Sequence, residues 1–393
     1  MFAVPEIHAE TTPSNISDND ELIARLRLLR SENIGPITYH QLIARYGTAH
    51  AALDALPSLA RRGGRSTLRI ASYREAQEEL KALKRTGARL IAHGEPEYPD
   101  SLATMPDAPP LISSIGNAEL LRRPCVAMVG ARNASGAGVR FARTLAAELG
   151  EAGFTVVSGL ARGIDTAAHT GALEFATIAV LAGGIDSIYP PENDILQGRI
   201  AAEGLLVAEQ KIGTRFKARH FPTRNRLISG SSLGVIIIEA APRSGSLITA
   251  RCALEQGREV FAVPGSSLDS RCHGSNNLIR EGAALIQSVD DVTAVLAPMI
   301  EPRQTPNSPA LPVTEMPIIG DEELAKSRHR VTVALGPTPV AVDELLRQCH
   351  LTPPVLLTIL LELETAGRLH RHPGNRVSFF VINPFTLRRS VNG

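Results

Sequence analysis

The 393-residue chain contains no tryptophan, and aromatic residues make up only 4% of it. A broad stacking platform of the kind single-strand binders present is therefore not obvious. Cysteine is scarce as well. Cys125, Cys252, Cys272 and Cys349 lie far apart and form no CxxC pair, so neither a disulfide framework nor a zinc site is expected. No metal ligand set and no cofactor is expected either. A run of about 18 apolar residues, the minimum for a membrane span, is missing. The first twenty residues carry Glu6, Glu10, Asp18 and Asp20 but no Lys or Arg, unlike a secretory or organellar leader, and a cytoplasmic location is expected. Net charge is nearly absent, with 41 basic against 40 acidic residues. That excludes a histone-like polycation and gives no global reason to expect a nucleic-acid partner.

What remains is a globular composition, 44% hydrophobic and 21% charged, at a length that suggests two or three domains. Residues 1–20, polar and with Pro5 and Pro13, read as a flexible tail. Residues 21–85 read as a small helical domain, in which Leu22, Ile23, Leu26 and Leu29 share one helix face. Asn33-Ile34-Gly35-Pro36 sits between two short helices and resembles a helix-hairpin-helix or SAM-like turn, whose N–H groups can meet a phosphate. A plain connector fits the same residues.

Residues 86–297 alternate short apolar runs with helical stretches. The runs are Cys125–Gly130, Phe154–Ser158, Thr177–Ala182, Leu205–Ala208, Val235–Glu239, Val260–Val263 and Ala284–Ile286, with earlier strands near Arg89–His93 and Leu111–Ile115. Near-continuous apolar strands between helices predict a parallel sheet covered on both faces, an α/β doubly wound Rossmann-like domain. Residues 298–325 hold six prolines and read as an extended linker. The last segment, 326–393, gives a helix at Val342–Cys349 and a second at Pro353–Ala366. A β-hairpin turning at Pro373-Gly374-Asn375 follows, and the order is that of a winged helix.

Ligands of such α/β sheets bind at the carboxyl ends of the strands. The first turn there, Gly130-Ala131-Arg132 through Gly136-Ala137-Gly138, opens a helix and suits a phosphate. It is neither a Walker loop, lacking Gly-Lys-Ser/Thr, nor a dinucleotide fingerprint, whose glycine spacing and ribose-binding acid are missing. The second, Ser158-Gly159-Leu160-Ala161-Arg162, leads to Asp165 and His169 one helical turn apart. Ser158 lacks a nucleophile elbow and no third ligand accompanies the pair, so a structural Asp165–His169 hydrogen bond is expected, with no catalytic residue. The third feature, residues 211–226, holds six Lys or Arg and no acid, with Phe216 and Phe221 interleaved. Residues 86–297 as a whole carry 19 basic and 21 acidic residues, so positive charge is concentrated on this one segment. Charge that neutralises phosphate beside rings that stack on bases is what a single strand requires. A solvated loop with both Phe in the core is the alternative. The fourth, Arg243-Ser244-Gly245-Ser246, is another anion-accepting helix start. Two such turns and a basic segment on one sheet edge favour a polyanion groove over a single-nucleotide pocket.

These motifs occur together with Ala168-His169, Tyr189-Pro190, Phe221-Pro222, Arg224-Asn225-Arg226, Thr249-Ala250 and Val263-Pro264-Gly265. In that order the chain resembles the DprA/Smf family over about 120–290, and its flanking modules match longer members. The resemblance implies a non-enzymatic homodimer that binds single-stranded DNA, protects incoming strands in natural transformation and loads RecA, including onto strands coated by single-strand-binding protein. It carries DNA contacts onto Gly130, Arg132, Ser158, Gly159, Arg162, Lys217, Arg219, Phe221, Arg224, Asn225, Arg226, Ser244, Gly245 and Ser246. It places a dimer contact near Leu278, Ile279, Leu285 and Ile286. Two departures stand out. Ala208-Glu209 replaces the family's Ser-Glu, and the second winged-helix helix has no Arg, Lys, Asn or Gln with which to read a major groove. After Glu364 come Arg368, Arg371, Arg376, Arg388 and Arg389 with no acid, which leaves backbone contact through the wing or a protein–protein role. The rival is an enzyme similar to the nucleoside-monophosphate phosphoribohydrolases, whose motif resembles PGGxGTxxE. Residues 243–249 lack its glycine pair and its Glu.

Overall fold

The structure, a computed structural model, describes residues 18–300, 321–372 and 374–379. The chain forms two compact units, one from Glu78–Glu315 and one from Met1–Gln77 with Met316–Gly393. Residues 1–17 of the expected tail, most of the expected linker, and Arg388 and Arg389 lie outside the described residues. The linker bounds differ at both ends. A helix runs through Pro298 to Ile300, where a proline near the last turn removes only one internal hydrogen bond, and the next helix begins at Asp321.

The N-terminal helices are α1 (Asp18–Arg30), α2 (Pro36–Tyr46), α3 (Ala49–Arg62) and α4 (Tyr73–Arg85). Pro36 takes the first turn of α2, where its missing N–H costs nothing, and the Thr48 hydroxyl caps α3 by accepting from Ala51 N.

The larger unit follows as β1 (Arg89–Ala92), α5 (Asp100–Ala103), β2 (Leu111–Gly116), β3 (Cys125–Gly130), α6 (Gly136–Glu151), β4 (Thr155–Ser158), α7 (Ile164–Ala172) and β5 (Thr177–Gly184). It continues with α8 (Asp194–Glu203), β6 (Leu205–Gln210), α9 (His220–Gly230), β7 (Gly234–Ile238), α10 (Gly245–Glu255), β8 (Glu259–Ala262), α11 (His273–Arg280), β9 (Ala284–Leu285) and α12 (Val289–Ile300). All nine form one sheet in the order β1-β2-β6-β5-β4-β3-β7-β8-β9. From β6 to β9 the strands are parallel, whereas β1 and β2 extend the sheet antiparallel. Alternate residues serve two cores. Ala127, Val157 and Ile237 pack with Leu227, Ala250 and Ala253 on one face. Val126, Met128 and Ile236 pack with Leu145, Ala168 and Leu296 on the other. The central strands are apolar throughout because both faces are covered.

The chain leaves β3 toward β4, β5 and β6 on one side and returns at β7 to build β8 and β9 on the other. The adjoining carboxyl ends of β3 and β7 are therefore the topological switch point, where crossovers diverge and leave a crevice.

In the second unit α13 (Asp321–Ala334), β10 (Val340–Ala341), α14 (Val342–Cys349), α15 (Pro353–Thr365), β11 (Leu369–His372) and β12 (Arg376–Phe379) make the winged helix, its small sheet ordered β10-β12-β11. A helix apolar on more than one face needs cover on more than one side. Helix α15 buries Leu356, Ile359 and Leu363 in the winged-helix core and Leu361 in the core of the N-terminal helices. Polar contacts fasten the pair. Arg45 donates to the Thr358 hydroxyl at 2.9 Å, and fully buried Glu362 accepts from Arg328 Nε at 2.8 Å with Arg62 3.8 Å away. Asn33 Nδ2 donates to the Thr365 carbonyl at 3.2 Å, so the hairpin turn meets α15. Among the described residues, three wing arginines are engaged too: Arg368 with the Gly63 carbonyl, Arg371 with Glu364 and Arg376 with the Pro339 carbonyl.

Candidate nucleic-acid interface

A cavity of about 710 Å³ opens at the switch point. The turn after β3 (Gly130, Arg132, Asn133) forms one wall, the turn after β7 (Arg243, Ser244, Gly245, Ser246) another, and the first turns of α9 (Phe221, Arg224, Asn225) a third. A recess of about 350 Å³ shares Arg132, Asn133 and Ala161 with it and adds Arg162, Tyr189 and Pro190. The two run together as a groove.

Residues 211–226 are not one loop, since α9 begins at His220. Arg215, Lys217 and Arg219 stand exposed ahead of it, while Lys211 pairs with Glu79 at 3.7 Å. Both readings of the two Phe were partial. Phe221 is half-buried and carries the Arg132 guanidinium on its ring, with 4.7 Å between guanidinium carbon and ring centroid. Phe216 is 39% exposed and packs on Tyr189 with ring centroids 3.8 Å apart. Tyr189, Phe216 and Phe221 thus make a compact aromatic cluster at the groove. A few rings supply a local stacking surface even where aromatics are rare overall.

Several expected contact residues turn inward. The Ser158 hydroxyl is buried and donates to the Met128 carbonyl at 2.7 Å. Asn225 ties α9 to the Gly245 carbonyl at 3.2 Å, and Arg226 is held by Asp107 and Glu209. Glu209 is the acid of the departing Ala208-Glu209 pair, so the retained half of that motif anchors α9. Arg162 is exposed but paired with Glu192 at 2.5 Å.

Arg224 is the exception among the buried set. It is 5% exposed, sits 4.0 Å from Asp165, and occupies the space a Cβ at Gly159 would take, which explains a glycine there. Among the described residues its Nε and Nη1 have no hydrogen-bond partner, yet the side chain lines the cavity. Burial lowers its pKa to about 10, opposed by Asp165, and still leaves it a cation at neutral pH. A buried cation with unmatched donors beside an open groove favours an anion.

The expected Asp165–His169 hydrogen bond does not form. Asp165 accepts from Gly159 N at 3.2 Å and Ala161 N at 3.3 Å, and so braces the turn by itself. His169 turns to the Thr177 hydroxyl at 2.7 Å. Burial pushes the Asp165 carboxyl up and lowers the His169 pKa to about 3. No group of three or more His, Cys, Asp or Glu suited to a metal occurs among the described residues.

The two glycine turns differ. At α10 the Ser244 hydroxyl caps Ser246 N and meets the Ser246 hydroxyl at 2.7 Å, while Gly245 is exposed. At α6, where a phosphate was equally expected, the Glu239 carboxyl group already accepts from Ser135 N and its hydroxyl. At the expected dimer contact Leu285 is 47% exposed and Leu278 and Ile279 are half-buried, but Ile286 is fully buried in the core and cannot meet a partner. Tyr189, Asn133 and Arg243 line the groove without having been singled out as contacts. Their signal was their place beside strand-end turns, which only the sheet order converts into proximity.

The fold and this groove define a doubly wound α/β protein with a basic, aromatic-flanked crevice at its switch point. A family model described as DNA recombination-mediator protein A matches residues 89–297, a DprA-like N-terminal HHH domain residues 19–82, and a DprA winged helix domain residues 320–375. The chain belongs to the DprA/Smf family. It is 35% identical over 319 residues to protein Smf of Synechocystis, covering 73% of this chain and 79% of that one. To DNA processing protein DprA of Streptococcus pneumoniae it is 47% identical over 199 residues, half of this chain and 70% of that one. The X-ray structure of the pneumococcal DprA superposes with a TM-score of 0.58 at 35% identity, over 71% of this chain and 98% of that one. A Helicobacter pylori DprA structure, described for its single-stranded DNA binding mode, gives 0.50 at 30% identity over 54% and 96%. Among the described residues no helix is long and apolar enough to cross a membrane.

Proposed function

We propose that the protein is a recombination mediator that holds single-stranded DNA in the switch-point groove and acts in natural transformation, without catalysis of its own. The observation that carries this reading is the convergence of Arg132, Arg224 and Arg243 with Phe221 and the open start of α10 around one elongated groove. Guanidinium groups and a helix start suit phosphates, and aromatic rings suit bases. Phe221, Phe216 and Tyr189 would take the bases, and Arg132, Lys217, Arg219 and Arg243 the backbone. RecA, single-strand-binding protein and a second copy of this chain are the partners the family suggests. The dimer contact would use Leu278, Ile279 and exposed Leu285 on the edge strand β9. The phosphoribohydrolase reading is the weaker one, because the acid lining the cavity, Asp165, is buried behind Arg224 and engaged with two backbone N–H groups.

The test is a titration with single- and double-stranded DNA of equal length at two salt concentrations. Preference for the single strand with a steep salt dependence is expected. Equal affinity for the duplex would sink the reading, as would release of free base from a nucleoside monophosphate at enzyme-like turnover.

A further inference from the structure

Two helix starts meet at the switch point, and the chain fills one of them itself. Glu239, the first residue after β7, has φ +52°, a conformation that residues with a side chain rarely adopt. That backbone setting turns its side chain across to the start of α6. There Oε2 accepts from Ser135 N at 2.8 Å, Oε1 accepts from the Ser135 hydroxyl, and the same hydroxyl oxygen accepts from Gly138 N at 2.9 Å. A Cβ at Gly138 would come within 2.7 Å of the Glu239 carboxyl carbon. In the dinucleotide fingerprint a glycine lets the backbone approach a pyrophosphate. Here Gly138 lets it approach a carboxyl group.

We propose that Glu239 is a specificity-determining residue whose carboxyl group stands in the place of a ligand phosphate. It takes the volume and the hydrogen-bond donors a free nucleotide's phosphate would use at α6. The α10 turn, with Gly245 exposed and Arg243 beside it, is left as the anion-accepting helix start. Mononucleotides thereby lose their strongest anchor, while a longer strand compensates through many weaker contacts along the groove. The second half of this inference rests on the single-strand reading above; the exclusion of mononucleotides does not.

The experiment titrates the full chain, E239G and E239Q with deoxyadenosine 5′-monophosphate by calorimetry, and with a thymidine oligonucleotide in parallel. Glycine accepts φ +52° and empties the site, whereas glutamine fills the same volume. E239G is expected to bind the mononucleotide at least about tenfold more tightly than the unaltered protein, with inorganic phosphate competing, and E239Q to stay with the unaltered protein. Equal affinity in E239G and the unaltered protein, with cooperative unfolding retained, would overturn the proposal. Should E239G not fold, the backbone amide resonances of Ser135 and Gly138 in the unaltered protein decide: unmoved at millimolar mononucleotide they support it, shifted they refute it. Failure of the unaltered protein to bind the oligonucleotide would remove the single-strand reading and leave the mononucleotide comparison standing.

Discussion

The Arg132 guanidinium lies over the ring of Phe221, 4.7 Å from guanidinium carbon to centroid, at the point where the cavity and its side recess join. This stacking places a phosphate-seeking charge against a base-seeking ring, and Arg132 itself is exposed. Arg132→Ala is expected to weaken single-strand binding, to lower the slope of log affinity against log salt by about 0.7 for each phosphate no longer neutralised, and to leave the melting temperature unchanged. Arg132→Lys keeps the charge without the planar stacking group, so it should retain the salt slope with lower affinity.

Truncating Phe221 to Ala removes a base-stacking face, and the expected loss is about 1–3 kcal/mol of binding free energy. Phe216→Ala and Tyr189→Ala test the extent of the platform. Each should weaken binding of a single strand while leaving duplex binding as it was. Unchanged oligonucleotide affinity in both would confine stacking to Phe221.

Arg224 differs from Arg132 because it is buried beside Asp165. Arg224→Ala leaves that carboxyl without its cation and is expected to cost about 3 kcal/mol of stability in addition to binding. Denaturant unfolding measures the first effect and titration the second. A variant that binds less but unfolds as before would show Arg224 to be a surface group.

Gly63 packs against the backbone of α15: a Cβ there would lie 2.1 Å from the Glu362 carbonyl oxygen. Its φ of −71° is ordinary, so the glycine is needed for room and not for conformation. Gly63→Ala should therefore destabilise the unit formed by the N-terminal helices and the winged helix by about 1–3 kcal/mol, read from its thermal transition. Single-strand binding by the groove is expected to persist.

His169 is buried with its pKa lowered to about 3 by burial, against about 6.5 in an unfolded chain. Between these values the unfolded state binds the extra proton, so the contribution of His169 to stability is complete above pH 6.5 and is lost as pH falls toward 3. The slope from this one group is at most about 1.4 kcal/mol per pH unit. The raised pKa of Asp165 acts with the opposite sign in acid, so the comparison is with His169→Gln, whose stability should fall less steeply between pH 6.5 and 4.

All nine strands of the large sheet were legible as apolar runs, because a strand covered on both faces has no polar alternation to obscure it. The reversed direction of β2, which pairs antiparallel with both β1 and β6, was not legible, since short apolar runs look alike in either direction. Among the residues lining the groove, Arg132, Phe221 and Ser244 could be picked from their turns. Ser158, Asn225 and Arg226 sit in the same motifs and point inward, and a motif carries no information on which way a side chain faces.

The sequence by itself determined the sheet, the helix order, the winged helix and the segment on which positive charge is concentrated, for these follow from local periodicity and composition. It also showed that α15 has no residues with which to read a groove. Tertiary structure alone decided what α15 does instead, namely bury its other face on α2 and α3, with Thr358 bonded to Arg45 and Glu362 near Arg62. It likewise decided that of two similar glycine turns one is filled by Glu239, which lies 104 residues from the Ser135 it binds. Contacts over that separation depend on strand order, and strand order is fixed by packing rather than by any local run of residues.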